Sequence, residues 1–277
     1  MSERNAVRAC RVALGNGLRE SSPDAALDAR GYVADAAENL VAGFRLDDVR
    51  KDLESGSGNE LENKFRAAHS SSALGVNVFA PFKARRVAPL LPGGDGGFSG
   101  LRFERKCSAG VRGTAPNLDV VVEGARAVVA IESKCLEPLS RHDAKFADAY
   151  RDRILDARRD GAWFREMMAL RAAPQAYRWL DAAQLVKHAF GLAHSFPDRP
   201  VTLLYLFWEP ANPEAFRVFA EHRAEIGRFA RAVEGDGQVA FAAMSYPELW
   251  RSWVAAAAPD WLPAHIGRLR ARYLRAA

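Results

Sequence analysis

Cysteine is scarce in this chain of 277 residues, which contains only Cys10, Cys107 and Cys135, with no Cys-x-x-Cys pair among them. This spacing excludes a zinc-finger pattern and argues against a disulfide framework. Long apolar runs are missing as well, because no stretch approaches the roughly 18 residues that a membrane-spanning helix requires. Residues 1–15 also lack the apolar segment of a secretory signal peptide. We therefore expect a cytoplasmic protein with no membrane partner.

Lysine is also scarce, because the chain has seven lysines but thirty-two arginines. The formal net charge is +5. Arginine forms bidentate contacts with phosphate, so this composition is compatible with a nucleic-acid partner. It would also follow from the base composition of the gene, because alanine is abundant too. The glycine-rich stretch 92–97 lacks the GxxxxGK(S/T) pattern, so the sequence does not predict a phosphate-binding loop of the nucleotide-kinase type.

The centre of the chain carries the signal of a β-hairpin. Two runs rich in β-branched residues, Leu118–Val122 and Ala127–Ile131, flank a short polar segment. A two-residue loop at 124–125, with the sequence Gly-Ala, would place glycine at the first central position, as a type II′ turn requires. With that turn Asp119 lies opposite Ala130, whereas a three-residue loop would move Asp119 to the other face of the sheet.

Three charged side chains, Asp119, Glu132 and Lys134, interrupt these otherwise apolar strands, and the predicted turn places all three on one face. Charges on a core strand cost free energy unless they are paired or hold a metal. The two carboxylates suit a hard cation such as Mg²⁺, and Lys134 would orient a water or stabilise charge on a phosphate. Glu104, on the preceding strand, is a further acidic candidate or a pairing residue. A charge network at the end of the sheet, without catalytic function, is the alternative.

Asp119, followed on the next strand by Glu132-Ser133-Lys134, resembles the motif of the PD-(D/E)xK nuclease superfamily, the restriction-endonuclease-like proteins, and is most similar to its bacterial branches. Pro116 stands three residues before Asp119 instead of directly before it. By this resemblance Asp119 and Glu132 would bind the metal, with the Ser133 main-chain carbonyl as a further ligand. Lys134 would be the catalytic lysine.

The same resemblance implies that two more residues belong to the active site. Superfamily members place an acidic residue on the helix before the sheet, and Glu60 fits that position, with Glu62 as second choice. Acidic groups are also favourable at the start of a helix capped by Asn59, which is an alternative explanation of both. On the helix after the motif, Gln184 would bind a phosphate or the water beside the lysine. Gln184 and His188 share a helical face, and an amphipathic helix with its polar residues outward is the alternative.

The order of the predicted segments indicates an α/β fold with a restriction-endonuclease-like core, in which helices flank a mixed central β-sheet. Residues 1–30 show no strong periodicity, a helical stripe follows at 32–44, and Leu74–Phe79 predicts a short strand. The apolar run Val201–Trp208 predicts a central strand that is buried on both faces. We divide the chain into an N-terminal helical extension (1–55), a nuclease-like domain (56–255) and a basic C-terminal tail (256–277).

These observations predict a metal-dependent endonuclease that hydrolyses phosphodiester bonds in DNA through a water activated by Mg²⁺, with Mn²⁺ able to replace it. The sequence does not separate DNA from RNA as the partner, and a homodimer is compatible with it. The main alternative is a non-catalytic nucleic-acid-binding domain that retains the fold, which predicts salt-sensitive binding without turnover. A metal-dependent hydrolase of a smaller phosphoester is a third hypothesis, and it would have an enclosed pocket.

Overall fold

A five-stranded mixed β-sheet forms the centre of the fold. The computed structural model describes residues 3–55, 61–113, 115–153, 160–256 and 259–277. The first three strands pair antiparallel, whereas the third, fourth and fifth pair parallel, which confirms the predicted α/β fold with a mixed sheet. In both chain order and spatial order the strands are β1 (Gly100–Lys106), β2 (Asn117–Glu123), β3 (Val128–Lys134), β4 (Val201–Phe207) and β5 (Val239–Ser245).

Helices cover both faces of the sheet. The α-helices of the described residues are α1 (Glu3–Ser21), α2 (Asp47–Glu54), α3 (Ser71–Arg85), α4 (Asp148–Arg153), α5 (Ala162–Ala172), α6 (Ala182–Ser195), α7 (Arg217–Ala232), α8 (Tyr246–Ala255) and α9 (Leu262–Tyr273). One apolar core joins the sheet to α1, α3, α8 and α9, and a second core joins the opposite face to α5, α6 and α7. Within the described ranges, no helix is long and apolar enough to cross a membrane.

The two central strands, β3 and β4, are covered on both faces. All seven residues of β4 are buried, which confirms the strand predicted from its nearly continuous apolar sequence. In β3 every residue except Lys134 is buried, and Glu132 is among the buried ones. The charged end of β3 therefore lies in a part of the molecule where a charge needs a partner.

The turn between β2 and β3 differs from the predicted one. Strand pairing ends with Glu123 opposite Val128, and a four-residue turn joins them. The Asp95 carboxylate, which lies outside the hairpin, stabilises this turn by accepting the main-chain N–H of Ala127 at 3.1 Å. Turn preferences of the residues within the hairpin do not predict this contact. The register moves by two positions and not by one, so Asp119 keeps its predicted face.

The prediction of a strand at Leu74–Phe79 is wrong, because this segment lies inside α3. The Ser70 side chain caps the helix by accepting the main-chain N–H of Ala73 at 3.1 Å. Every residue of α3 from 73 to 82 is buried, so the apolar run shows no amphipathic period. Periodicity alone cannot distinguish such a buried helical segment from a buried strand.

The first residues form the regular helix α1 instead of the predicted loose structure, and α1 packs against α9. A Cβ atom on Gly17 would lie 2.2 Å from the Arg272 carbonyl oxygen, so only glycine allows this close approach of the two helices. The buried Arg272 side chain donates to the carbonyls of Leu14 and Ala68. Of the predicted helical stripe at 32–44, only a short 3₁₀ helix, Ala36–Asn39, is formed. The division into extension, domain and tail stays a prediction.

Candidate active site

A cleft of about 460 Å³ opens where the start of β2 and the end of β3 meet the start of α3. The side chains of Asp119, Lys134 and Gln184 are only partly buried there, so solvent reaches the cleft. The structure thus brings together the described residues that were predicted to be catalytic or to bind metal: Asp119, Glu132, Ser133, Lys134 and Gln184.

Asp119 lies at the point where β2 and β3 separate. Antiparallel pairing stops at Val120 opposite Ile131. Asp119 Oδ2 then accepts the main-chain N–H of Ser133 at 2.7 Å, in place of the next hydrogen bond of the ladder. Because the N–H and C=O of one strand residue point to the same side, the Ser133 carbonyl also faces this gap. One carboxylate and one carbonyl therefore meet at the edge of β3.

Glu132 lies at the bottom of the cleft and is 2% exposed. Its Oε1 accepts a hydrogen bond from Lys134 Nζ at 2.6 Å, and its Oε2 lies 2.9 Å from His188 Nε2. Burial opposes ionisation of Glu132, but Lys134 and His188 outweigh it and lower the pKa of this carboxyl to about 2. Glu132 is therefore a carboxylate at neutral pH. The alternative in which the polar residues of α6 point outward does not hold for His188.

The Lys134 ammonium lies between Glu132 and Gln184. Its Nζ donates to Gln184 Oε1 at 2.8 Å in addition to its contact with the glutamate. Burial alone would lower the pKa of Lys134, but the surrounding carboxylates, with Glu132 first among them, raise it above its ordinary value. Asp181 fixes the start of α6 by accepting the main-chain N–H of Gln184 at 3.0 Å. The amine is therefore charged and held from two sides.

Asp119 shows the opposite perturbation, because burial and then the charges of Glu132 and Glu104 raise its pKa well above the ordinary value. Glu104 lies on β1, opposite Asp119 in the strand register, and has a left-handed backbone with φ +51°. A non-glycine residue rarely adopts this conformation, and such residues cluster at functional sites. Carboxylates from three adjacent strands thus line one cleft, and a bound cation would relieve their mutual repulsion.

Two acidic residues were predicted to approach this site from the segment before the sheet. Glu60 lies outside the described residues, and Glu62 is exposed and does not line the cleft. Polar residues that had no predicted function also line it, among them Ser71 at the start of α3 and Glu137. Ser71 Oγ donates to Glu137 Oε1 at 2.7 Å. The position of Glu137 three residues after Lys134 is the sequence signal that points to it.

The carboxylates suit a cation that keeps much of its own water. Among the residues that the structure describes, no group of three or more His, Cys, Asp and Glu side chains could hold a metal ion. Mg²⁺ does not need such a group, since it commonly binds one or two protein carboxylates together with waters and substrate phosphates. Asp119, Glu132 and the Ser133 carbonyl form an oxygen set of that smaller kind.

Comparison with known proteins identifies the family of this chain. The sequence model of a family described as Restriction Endonuclease associating with ARP, abbreviated REase-ARP, matches residues 13–274. No curated protein and no solved structure matches the chain. The family match confirms the predicted resemblance to the PD-(D/E)xK superfamily, and the mixed sheet flanked by helices is consistent with a restriction-endonuclease-like fold. The chain belongs to the REase-ARP family of restriction-endonuclease-like proteins.

Proposed function

We propose that this protein is a metal-dependent endonuclease that hydrolyses phosphodiester bonds in DNA. The observation that carries the proposal is the convergence of Asp119, Glu132 and Lys134 on one cleft that solvent reaches. The family description supports DNA as the substrate, because it names a restriction endonuclease. A cleft lined by carboxylates and one ammonium group suits phosphodiester hydrolysis, which needs a cation, a water and stabilisation of negative charge.

The residues of the cleft fit a divalent cation such as Mg²⁺, with Mn²⁺ able to replace it. Asp119 and Glu132 offer carboxylate oxygens from adjacent strands, and the Ser133 carbonyl would add a third oxygen. Burial and the neighbouring carboxylates raise the pKa of Asp119, so a positive charge beside it is strongly favoured. When bound, the cation would lower the pKa of a water molecule and neutralise charge on the scissile phosphate.

Lys134 is positioned to stabilise negative charge during hydrolysis. Because the carboxylates keep its amine protonated, we assign it the function of a fixed positive charge toward phosphate oxygens and not that of a base. Gln184 holds the amine from α6, and its amide group can also donate to a phosphate. His188 lies against the second oxygen of Glu132 and keeps that side chain oriented into the cleft.

Cleavage of supercoiled plasmid DNA tests the proposal. With Mg²⁺ or Mn²⁺ the protein is expected to produce nicked and linear DNA, because an endonuclease needs no free end. EDTA is expected to reduce the rate to background, since the cation activates the water. Circular single-stranded DNA and RNA, assayed in parallel, identify the preferred nucleic acid. Binding without turnover under all of these conditions would favour the non-catalytic nucleic-acid-binding domain instead.

Asp119→Asn is expected to stabilise the metal-free protein. The folded-state pKa of Asp119 is raised above its ordinary value of 3.8, so the folded protein holds this proton more tightly than the unfolded chain. Stability from this group is therefore lost as the pH rises through the folded-state pKa. Asparagine carries no charge, and the gain in Tm should be larger at about pH 8 than at about pH 4. Thermal unfolding in EDTA measures both values.

Mg²⁺ is expected to reverse this order of stability. At about 100 times its Kd, a ligand stabilises the protein that binds it by about 2.7 kcal/mol, which corresponds to several degrees of Tm in a chain of this size. The Asp119→Asn protein should gain much less. Asp24→Asn, at an exposed position, is the matched control and should gain as much as the wild type. An equal shift in the Asp119→Asn protein would contradict the assignment of Asp119 to the cation.

A further inference from the structure

A second cavity, of about 510 Å³, runs along the exposed side of α1, and we call it the α1 groove. Its helical wall carries Arg4, Arg8, Arg11 and Arg19, whose spacing places them in one stripe along the helix. Residues 27–31 form the opposite wall and add a fifth arginine, Arg30. The groove therefore concentrates positive charge on one side of a single helix.

The arginines at the start of this stripe have no acidic partner among the residues that the structure describes. Arg4, Arg8 and Arg11 are exposed, and across the described ranges none of them forms an ion pair. Like charges three and four residues apart destabilise a helix, so this arrangement costs free energy in the isolated protein. The groove does contain one carboxylate, Asp28, which accepts the main-chain N–H of Tyr32 and pairs with Arg30 in its own loop.

Arginines of other elements that contact α1 are paired with its acidic residues. Arg141 and Arg178 both pair with Glu3, at the first turn of α1. Arg275 pairs with Glu20 at the other end of the helix. Glu3 and Glu20 are thus engaged by arginines from other elements, and the stripe between them stays positive. The distribution argues against a general arginine surplus as the reason for the charged groove.

The α1 groove continues into the active-site cleft through aromatic residues. The Arg30 guanidinium lies over the Tyr32 ring at 4.9 Å, and Tyr32 contacts His69 edge to face at 6.2 Å. Tyr32 and His69 both line the cleft. Burial lowers the pKa of His69, and the charge of Arg11, which lines the groove, lowers it further. A polyanion lying in the groove would therefore reach the carboxylates of the cleft.

We propose that the α1 groove binds the phosphodiester backbone of the nucleic-acid substrate on one side of the scissile bond. The inference rests on the proposed function, which identifies the ligand as DNA. Arginine is suited to this contact because its guanidinium binds phosphate oxygens in a bidentate manner. The helix rises about 22 Å between Arg4 and Arg19, a length that covers about six base pairs of duplex. The groove therefore matches a run of several phosphates better than a single anion.

Binding measured in EDTA separates this inference from catalysis. The triple variant Arg4→Ala/Arg8→Ala/Arg11→Ala is compared with the wild type on a fluorescent DNA duplex of about 30 base pairs over a range of salt concentrations. The slope of log K against log salt is negative, and each lost phosphate contact makes it less steep by about 0.9. The triple variant should therefore have a slope that is less steep by about 3. Affinity near physiological salt should fall at least about tenfold. Alanine is the best helix former, so α1 is expected to stay folded.

The matched control removes the same charge elsewhere, through Arg126→Ala/Arg231→Ala/Arg251→Ala at exposed positions outside both cavities. Its slope and affinity should stay within about twofold of the wild type. With Mg²⁺, the groove variant should show a larger rise in KM than fall in kcat.

Unchanged binding by the groove variant, an equal loss in the control, or no DNA binding by the wild type would overturn the inference. Groove-dependent binding without any cleavage would leave it standing and reject the proposed catalytic function alone.

Discussion

Replacing Asp119 by asparagine is expected to lower the rate of DNA cleavage about 10³-fold, at saturating Mg²⁺ and at saturating Mn²⁺. Asparagine has the same shape, and its side-chain oxygen can still accept the Ser133 main-chain N–H that Asp119 accepts at 2.7 Å. The substitution therefore removes one negative charge while it keeps the local backbone. The loss corresponds to about 4 kcal/mol of transition-state stabilisation, which is the scale of a charged contact to a cation inside a cleft.

The measurement is the initial rate of plasmid nicking by purified protein, with circular dichroism and thermal unfolding to show that the fold is intact. Asp24→Asn changes the same residue type at an exposed position and should cleave at the wild-type rate. If Asp119→Asn retained cleavage within about tenfold of the wild type, the residue would not hold the cation. Glu132 and Glu104 would then have to be tested as the carboxylates that bind it.

The grouping of Asp119, Glu132 and Lys134 on one face could be predicted because only a register shift by an odd number of residues would move Asp119 to the other face. Side chains alternate between the faces of a strand, so a turn prediction that is wrong by two positions in register still places Asp119 on the correct face. The real register follows from Asp95, which lies outside the hairpin and binds the turn. The alternation of side chains between the two faces can be predicted from the sequence, but this long-range hydrogen bond cannot.

Residues that act through tertiary contacts could not be predicted in the same way. His188 shares a helical face with Gln184, which the spacing shows, but its contact with Glu132 at 2.9 Å depends on how α6 packs on the sheet. The left-handed backbone of Glu104 leaves no signal in the sequence, because that residue type rarely adopts it. Both residues could be named from the sequence, but their positions beside Asp119 and Glu132 depend on how the neighbouring elements pack.

The strand β4 and the helices α1 and α3 show when the spacing of apolar residues along the sequence identifies the secondary structure and when it does not. β4 was predicted because a continuous apolar run of strand length, rich in leucine and aromatic residues, is typical of a strand buried on both faces. The same reasoning failed for α3, whose residues 73–82 are buried all round. Residues 1–30 showed no strong apolar period because the buried face of α1 consists largely of small residues, which include Ala6, Cys10, Ala13 and Gly17.

Replacing Lys134 by methionine is expected to lower kcat for DNA cleavage about 10²- to 10³-fold. Methionine has a similar length and flexibility, so it fills the space without the charge. In the wild type Glu132 Oε2 also lies 2.9 Å from His188 Nε2, and we expect this second contact to limit the structural cost of a buried carboxylate. Gln184→Leu should have a smaller effect, about tenfold, because it removes only one of the hydrogen bonds that hold the amine.

The dependence of kcat on pH distinguishes a fixed charge from a base at this position. Because carboxylates raise the pKa of Lys134, the amine stays protonated over the working range, and Lys134→Met should lower the profile without changing its shape. Lys187→Met is the matched control on α6, since that amine lies over the Phe146 ring at 5.3 Å and does not line the cleft. The control should keep the wild-type rate. Loss of one limb of the profile in Lys134→Met would show that Lys134 acts as a base, and cleavage within about tenfold of the wild type would remove it from the active site.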